Sequence, residues 1–256
     1  RIGAVLAELQ IDIVTSAADV PTLHATAASP GASAAPTAPG IAARLAALAV
    51  SHSFNGGVSW QLVRDGLSVG GQIETTGGEP ESAARVWGTW GESILRWANH
   101  FEVPVELIVA TILTESGGKP GALRLEPGYV SDEATPGKVS PGLMQTLIRT
   151  ARDVLGNQTL DRGWLMVPDH SIQAGTAYIA HQAGKTKLDP PFVACAYNAG
   201  GVYANAGAAN RWRMRQYPID SGEHADRFAK WFNDCFRMFA SRAEAPLMSF
   251  FSALRG

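Results

Sequence analysis

The stretch PVELIVATILTESGG, Pro104 to Gly118, decides how the rest of the chain is read. A proline opens it, at a helical position where its missing N–H costs nothing. The run that follows is apolar nearly all round, which marks a central, buried helix. Gly117 and Gly118 end it, because glycine takes the left-handed conformation that terminates helices. Glu115 falls in the last turn. A carboxyl there loses solvation, which disfavours its charged form and raises its pKa. From this stretch alone two readings stand. One is a general acid suited to near-neutral pH, of the kind that protonates a leaving sugar oxygen. The other, the commoner fate of a helix-end glutamate, is a side chain turned to water or bonded to backbone groups.

Working outward, ESAARVWGTWGESILRWANHF places Val86, Trp90, Ile94, Trp97 and Phe101 at helical spacing. Lys119 to Ser140 is rich in Gly, Pro and charge and reads as a long loop. Further helices are expected over Leu143–Leu155, Ser171–Gln182, Phe192–Asn198 and His224–Phe239. Upstream, in GVSWQLVRDGLSVGGQI, Val58, Trp60 and Leu62 alternate with polar residues, and Leu67, Val69 and Ile73 partly repeat the pattern. Asp65-Gly66 lies between them, so a small β-hairpin is expected. Residues 16–50 are dominated by Ala, Ser, Thr and Pro and read as a flexible linker. GIAARLAALAVSH at its end is compatible with a short helix. The expected division is a low-complexity arm over 1–50, a hairpin element over 51–80, a helical domain over 81–245 and a tail over 246–256.

Bulk properties exclude several classes. Of 256 residues, 46% are hydrophobic, enough for a sizeable core. A formal net charge of -2 gives no electrostatic hold on nucleic acid or anionic lipid. No run of about eighteen apolar residues exists, so no membrane span is expected. The opening RIGAVLAELQIDIV is interrupted by Glu8 and Asp12 and is not read as a signal peptide. The missing initiator Met fits a fragment or a processed chain. Cys195 and Cys235 lie in apolar segments and read as buried thiols, with a single disulfide as the alternative. His24, His52, His100, His170, His181 and His224 form no metal-ligand pattern. Ala183–Thr186 (AGKT) ends like a phosphate loop, but Ile179 stands where the first glycine is needed. No nucleophile elbow occurs. No metal or nucleotide cofactor is expected.

Three segments downstream of Glu115 change the balance between its two readings. GLMQ lies at Gly142–Gln145, SIQAGTAYI at Ser171–Ile179 and ACAYNAG at Ala194–Gly200. Glu-Ser, then Gly-Leu-Met-Gln, then Ile-x-x-Gly-x-x-Tyr-Ile, then Ala-Tyr-Asn-Ala-Gly resembles the catalytic domain of the soluble lytic transglycosylases. These are lysozyme-like enzymes of glycoside hydrolase family twenty-three that cut bacterial peptidoglycan. The resemblance covers roughly Ser82 to Phe239. It implies a mainly α, lysozyme-like domain, preceded by the hairpin and the Ala/Pro-rich arm. It implies Glu115 as sole acid/base, Ser116 orienting the reacting sugar, and Met144 and Gln145 lining the cleft. It places Tyr197 and Asn198 beside the glutamate, and makes the helix of Ile172, Gly175 and Tyr178 mainly packing. It implies cleavage between N-acetylmuramic acid and N-acetylglucosamine with closure of a 1,6-anhydro ring, in the periplasm or cell envelope.

The chain also departs from the family. The loop before GLMQ is longer and holds Glu126, Asp132 and Glu133. One of these could position a water, which would make the protein a hydrolytic muramidase. Ser140-Pro141 replaces the usual Gly-Ala. In GEHADRF, Phe228 stands where the family often has tyrosine, and no role is carried over there. Trp212 could stack on a sugar or pack in the core. Arg211, Arg213 and Arg215 could meet peptide-stem carboxylates or form a solvated face. A rival of another class is a non-catalytic wall-binding or structural module. The arm and the missing start fit a piece of a phage tail or secretion apparatus.

Overall fold

The computed structural model describes residues 40–255, so the part of the expected arm before Gly40 lies outside the described residues. Along the chain run α1 (Ile41–Leu48), β1 (Trp60–Val63), β2 (Gly66–Val69), α2 (Glu81–Phe101), α3 (Val105–Ser116), β3 (Leu123–Leu125) and β4 (Val139–Pro141). Then follow α4 (Ile148–Leu155), α5 (Arg162–Met166), α6 (Pro168–Thr186), α7 (Pro190–Ala199), α8 (Glu223–Ala240) and α9 (Phe250–Ala253). The fold is mainly α with a small β-hairpin near its start, as expected. No helix among the described residues is long and apolar enough to cross a membrane.

Helix α3 is the centre. Every residue from Val105 to Thr114 is buried, and α2, α6, α7 and α8 all pack against it. Pro104 is its N-cap and Gly117, at φ 63°, its C-cap. Helix α2 shows the narrower stripe of a partly exposed helix, burying Ala83, Val86, Ile94 and Ala98. The C-terminal residues are part of this core. Glu106, fully buried in the first turn of α3, accepts hydrogen bonds from Ser249 Oγ at 2.6 Å, Phe250 N at 3.1 Å and Phe251 N at 2.8 Å. Those donors belong to the start of α9, so one carboxyl ties the end of the described chain to the helix that carries Glu115.

The first hairpin pairs Val63 with Gly66, so its turn is Arg64-Asp65, one residue earlier than expected. Strand β2 is buried on both faces, whereas alternation forecast one. Asn233 of α8 explains this. Its Oδ1 accepts from Leu67 N at 2.7 Å, and its Nδ2 donates to Leu67 O at 3.0 Å and Glu74 O at 2.8 Å. The side chain thus acts as the next strand beside β2. Gly66 is required there, because a Cβ would lie 2.4 Å from Asn233 Oδ1.

Four other segments differ from expectation. The helix forecast from Leu143 begins only at Ile148. The residues before it form a turn in which Gln145 has φ 49°, a conformation a helix cannot contain. The expected 119–140 loop contains β3, which pairs with β4 through Leu123↔Pro141, Arg124↔Ser140 and Leu125↔Val139. Helices α5 and α9 were not foreseen. Cys195 and Cys235 are free, buried thiols.

The N-terminal hairpin is joined to α7 by a buried polar cluster. Asp189, the N-cap of α7, accepts from Trp60 Nε1 at 2.9 Å and contacts His52 Nε2 at 2.6 Å. His52 Nδ1 lies 2.7 Å from the Val50 carbonyl. Both ring nitrogens therefore face acceptors, which only the imidazolium can serve with two donors. The hydrogen bond to Asp189 raises the His52 pKa above 6.5. A raised histidine pKa adds stability that is complete below 6.5 and is lost as pH rises through the folded value. Asp189→Ala is expected to cost about 2 kcal/mol at pH 6. Urea midpoints of the variant and the wild type should lie closer together at pH 9.

Candidate active site

Helix α3 delivers Glu115 to a cleft of about 570 Å³, within the usual size of ligand sites. Hairpin β3–β4 and its connection contribute Arg124, Glu126, Lys138 and Ser140. The turn before α4 supplies Gln145 and Thr146, and α4 itself supplies Thr150. The far side is Tyr178 of α6, Tyr197 and Asn198 of α7, and Tyr217. Neutral polar and aromatic groups therefore predominate among the lining side chains.

Glu115 is 15% exposed at its side chain. Burial raises its pKa to about 7, while the charges of Arg227 and Arg124 oppose the rise. Neither arginine forms an ion pair with it among the described residues, so they moderate the effect without cancelling it. His224 Nε2 lies 3.5 Å from Glu115 Oε1. Burial, then the fields of Arg227 and Arg124, push the His224 pKa down to about 3, so this ring is neutral at any ordinary pH.

Four of the six expected site residues line this cleft: Glu115, Gln145, Tyr197 and Asn198. Ser116 and Met144 are not among its lining residues. Ser116 Oγ is 2.6 Å from the Leu143 carbonyl and ties the end of α3 to the turn before α4. Met144 is fully buried. It packs on α6 where Gly175 leaves room, and a Cβ at 175 would sit 2.5 Å from its sulfur. Both residues shape the cleft from behind. Gln145 also spends its amide on the turn, donating to Gly142 O at 2.8 Å and Ala122 O at 3.1 Å.

Tyr197 OH donates to Met144 O at 2.8 Å. Its single proton is then committed, so the 2.8 Å contact with Thr146 Oγ1 has the threonine as donor. Asn198 Oδ1 accepts from Tyr217 N at 2.6 Å and so positions the ring of Tyr217, which is 49% exposed. Thr146, Tyr217 and His224 carried no signal in the sequence. The resemblance makes Tyr178 mainly packing, yet it lines the cleft. Its position one turn after Gly175 on the same helical face was the available clue.

Of the remaining candidates, all but Glu126 lie elsewhere. Trp212 is fully buried, with Nε1 donating to Asp226 at 2.7 Å, and is core. Arg211 bonds Asp226 at 2.7 Å and Glu74 at 3.0 Å. Arg213 donates to Ala206 O, and Arg215 lies over the Tyr203 ring. Of the loop acids, Asp132 is held by Arg162 at 2.6 and 2.9 Å and by Tyr129 at 2.8 Å. Arg162 lowers its pKa. Glu133 is exposed. Glu126 alone of the three lines the cleft, paired with Arg124 at 2.8 Å.

A mainly helical fold here presents one desolvated carboxyl in a polar, tyrosine-walled cleft. Residues 92–218 match the transglycosylase SLT domain family. Among solved structures it is similar to an inactive variant of the lytic transglycosylase Slt from Pseudomonas aeruginosa, at 19% identity and a TM-score of 0.44, covering 63% of this chain and 26% of that one. It is also similar to the 70 kDa soluble lytic transglycosylase from Escherichia coli, at 18% identity and a TM-score of 0.43, covering 64% of this chain and 26% of that one. The chain thus spans about a quarter of the length of these two proteins. No curated protein matches it significantly.

The Glu115 pKa has a consequence for stability. A carboxyl raised from 4.5 to about 7 favours the folded state while protonated. That contribution is complete below 4.5 and is lost as pH rises through about 7. Ionising the buried group costs roughly 3 kcal/mol. Melting temperatures taken across this range should fall for the wild type and stay flatter for Glu115→Gln, with the variant the more stable at pH 8.

Proposed function

We propose that the protein is a peptidoglycan lytic transglycosylase acting in the cell envelope, with Glu115 as its single acid/base. The observation that carries this reading is the desolvated Glu115 carboxyl, with a pKa of about 7, at a polar cleft within the SLT segment. Protonated Glu115 gives its proton to the oxygen between N-acetylmuramic acid and N-acetylglucosamine. The C–O bond breaks, and positive charge develops at the anomeric carbon of the muramic acid. The C6 hydroxyl of the same sugar attacks that carbon, and ionised Glu115 takes the hydroxyl proton. A 1,6-anhydro ring closes and the acid is regenerated. One carboxyl with a pKa near the working pH can serve both steps.

Glu126 supports a second reading, hydrolysis with this residue holding a water. Its partner Arg124 is 62% exposed at the side chain, and such a pair is worth under about 1 kcal/mol, so Glu126 is free to exchange partners.

Digestion of purified peptidoglycan, with mass spectrometry of the released fragments, separates the two. The expected product is anhydro-muramyl ends, with Glu115→Gln at least about a hundredfold slower. Glu126→Gln should keep the anhydro product. Reducing ends that vanish in Glu126→Gln would establish hydrolysis. Wild-type turnover should fall above pH 7, where Glu115 starts ionised. Binding without release by the wild type would favour a wall-binding module.

A further inference from the structure

The turn GEHADRF left one family position unfilled, and the structure gives a neighbouring residue a place at the site. Phe228 is in the core, 1% exposed. His224, the second residue of α8, lies outside the matched segment 92–218. Its side chain is 4% exposed and its Nε2 is 3.5 Å from Glu115 Oε1. Among the described residues the Glu115 carboxyl has no hydrogen-bond partner, and no other acceptor meets the His224 ring. At 3.5 Å the contact is open, since a closed N–H···O bond spans about 2.7–3.2 Å. A small side-chain adjustment closes it.

We propose that His224 is a positioning residue whose Nε2–H closes on Glu115 when that carboxyl is ionised, holding it in place to receive the second proton. The proposal rests on the reading of Glu115 as acid/base. After the first transfer, Glu115 is a buried anion that needs a donor, and unsatisfied it would swing or recapture a proton early. The groups facing the pair are Arg227 on the same helix, Arg124 on β3 and the Tyr197 phenol on α7. The tyrosine proton is committed to Met144 O, and neither arginine reaches an ion-pair distance from Glu115. His224 is the donor within reach. It also brings no charge: an imidazolium in this position would hold Glu115 ionised and remove the acid needed for the first step.

Nitrogen NMR of the full chain between pH 5 and 9 tests this without disturbing the site. His224 Nε2 should carry the proton at pH 9, and its shift should change with a midpoint near that of Glu115. The change should be absent in Glu115→Gln. A bare Nε2 at pH 9, with the proton on Nδ1, would overturn the proposal. His224→Phe removes the donor. It should raise the Glu115 midpoint by about one pH unit and lower kcat about tenfold with KM unchanged. His224→Gln, whose amide reaches the same point, should restore both. A Glu115 midpoint in His224→Phe equal to the wild type would also overturn it. The NMR readout in the wild type decides even where a variant does not fold. Coupled titration in a protein that releases nothing from peptidoglycan would sink the transglycosylase reading and leave the contact standing.

Discussion

The site depends on α3 being enclosed on all sides. A helix buried from Val105 to Thr114 carries its last turn into low-dielectric surroundings, so a carboxyl at Glu115 is desolvated with no pocket built for it. The chain keeps this helix in place from both ends. Glu106 grips α9 at the start, and Ser116 reaches the Leu143 carbonyl at the end. Desolvation raises the pKa, and two arginines at a remove restrain it to about 7. A direct ion pair would have carried it below the ordinary carboxylate value and left no proton to donate.

The turn from Gly142 to Gln145 is the second fixed point. Ser116 holds Leu143, Tyr197 and Ser171 hold the backbone of Met144, and Gln145 bonds back to Gly142 and Ala122. Gly175 clears the space that Met144 fills. Most of the motif residues thus do the same job, setting the cleft wall at a fixed distance from Glu115. Their side chains spend their hydrogen bonds on backbone, and the cleft is left to Glu115, the tyrosines, a few neutral polar groups and the charged Arg124, Glu126 and Lys138.

Periodicity and caps made the helical frame legible, because α2, α3, α6, α7 and α8 are long or bounded by Pro and Gly. Glu115 was legible for the same reason: the run before it is apolar on every face. Strands β3 and β4 were not, since three residues carry no period, and Leu123 to Leu125 are all exposed. The start of α4 was misplaced because the left-handed Gln145 is imposed by bonds to Ala122 and Gly142, contacts between segments far apart or turned on themselves. Met144 was misassigned for a related reason. An apolar residue inside a motif looks like a cleft wall until the glycine beneath it, Gly175, is seen to receive it. His224 lies 109 positions from Glu115, and no local pattern joins them.

Neutral partners around one tunable acid form a coherent chemical design. Each group next to Glu115 is either saturated or uncharged: the Tyr197 hydroxyl donates its hydrogen bond to the Met144 carbonyl and accepts one from Thr146, and burial keeps His224 neutral. The formal charges act from farther out, on Arg227 and Arg124. Contact charge would fix Glu115 in one protonation state, whereas a distant field shifts the midpoint and leaves both states accessible. A site with two carboxylates can divide acid and base between them. On the proposed reading, with Glu115 as the single acid/base, both states of the same group must be within reach, and the arrangement of neutral contacts and distant cations is suited to that condition.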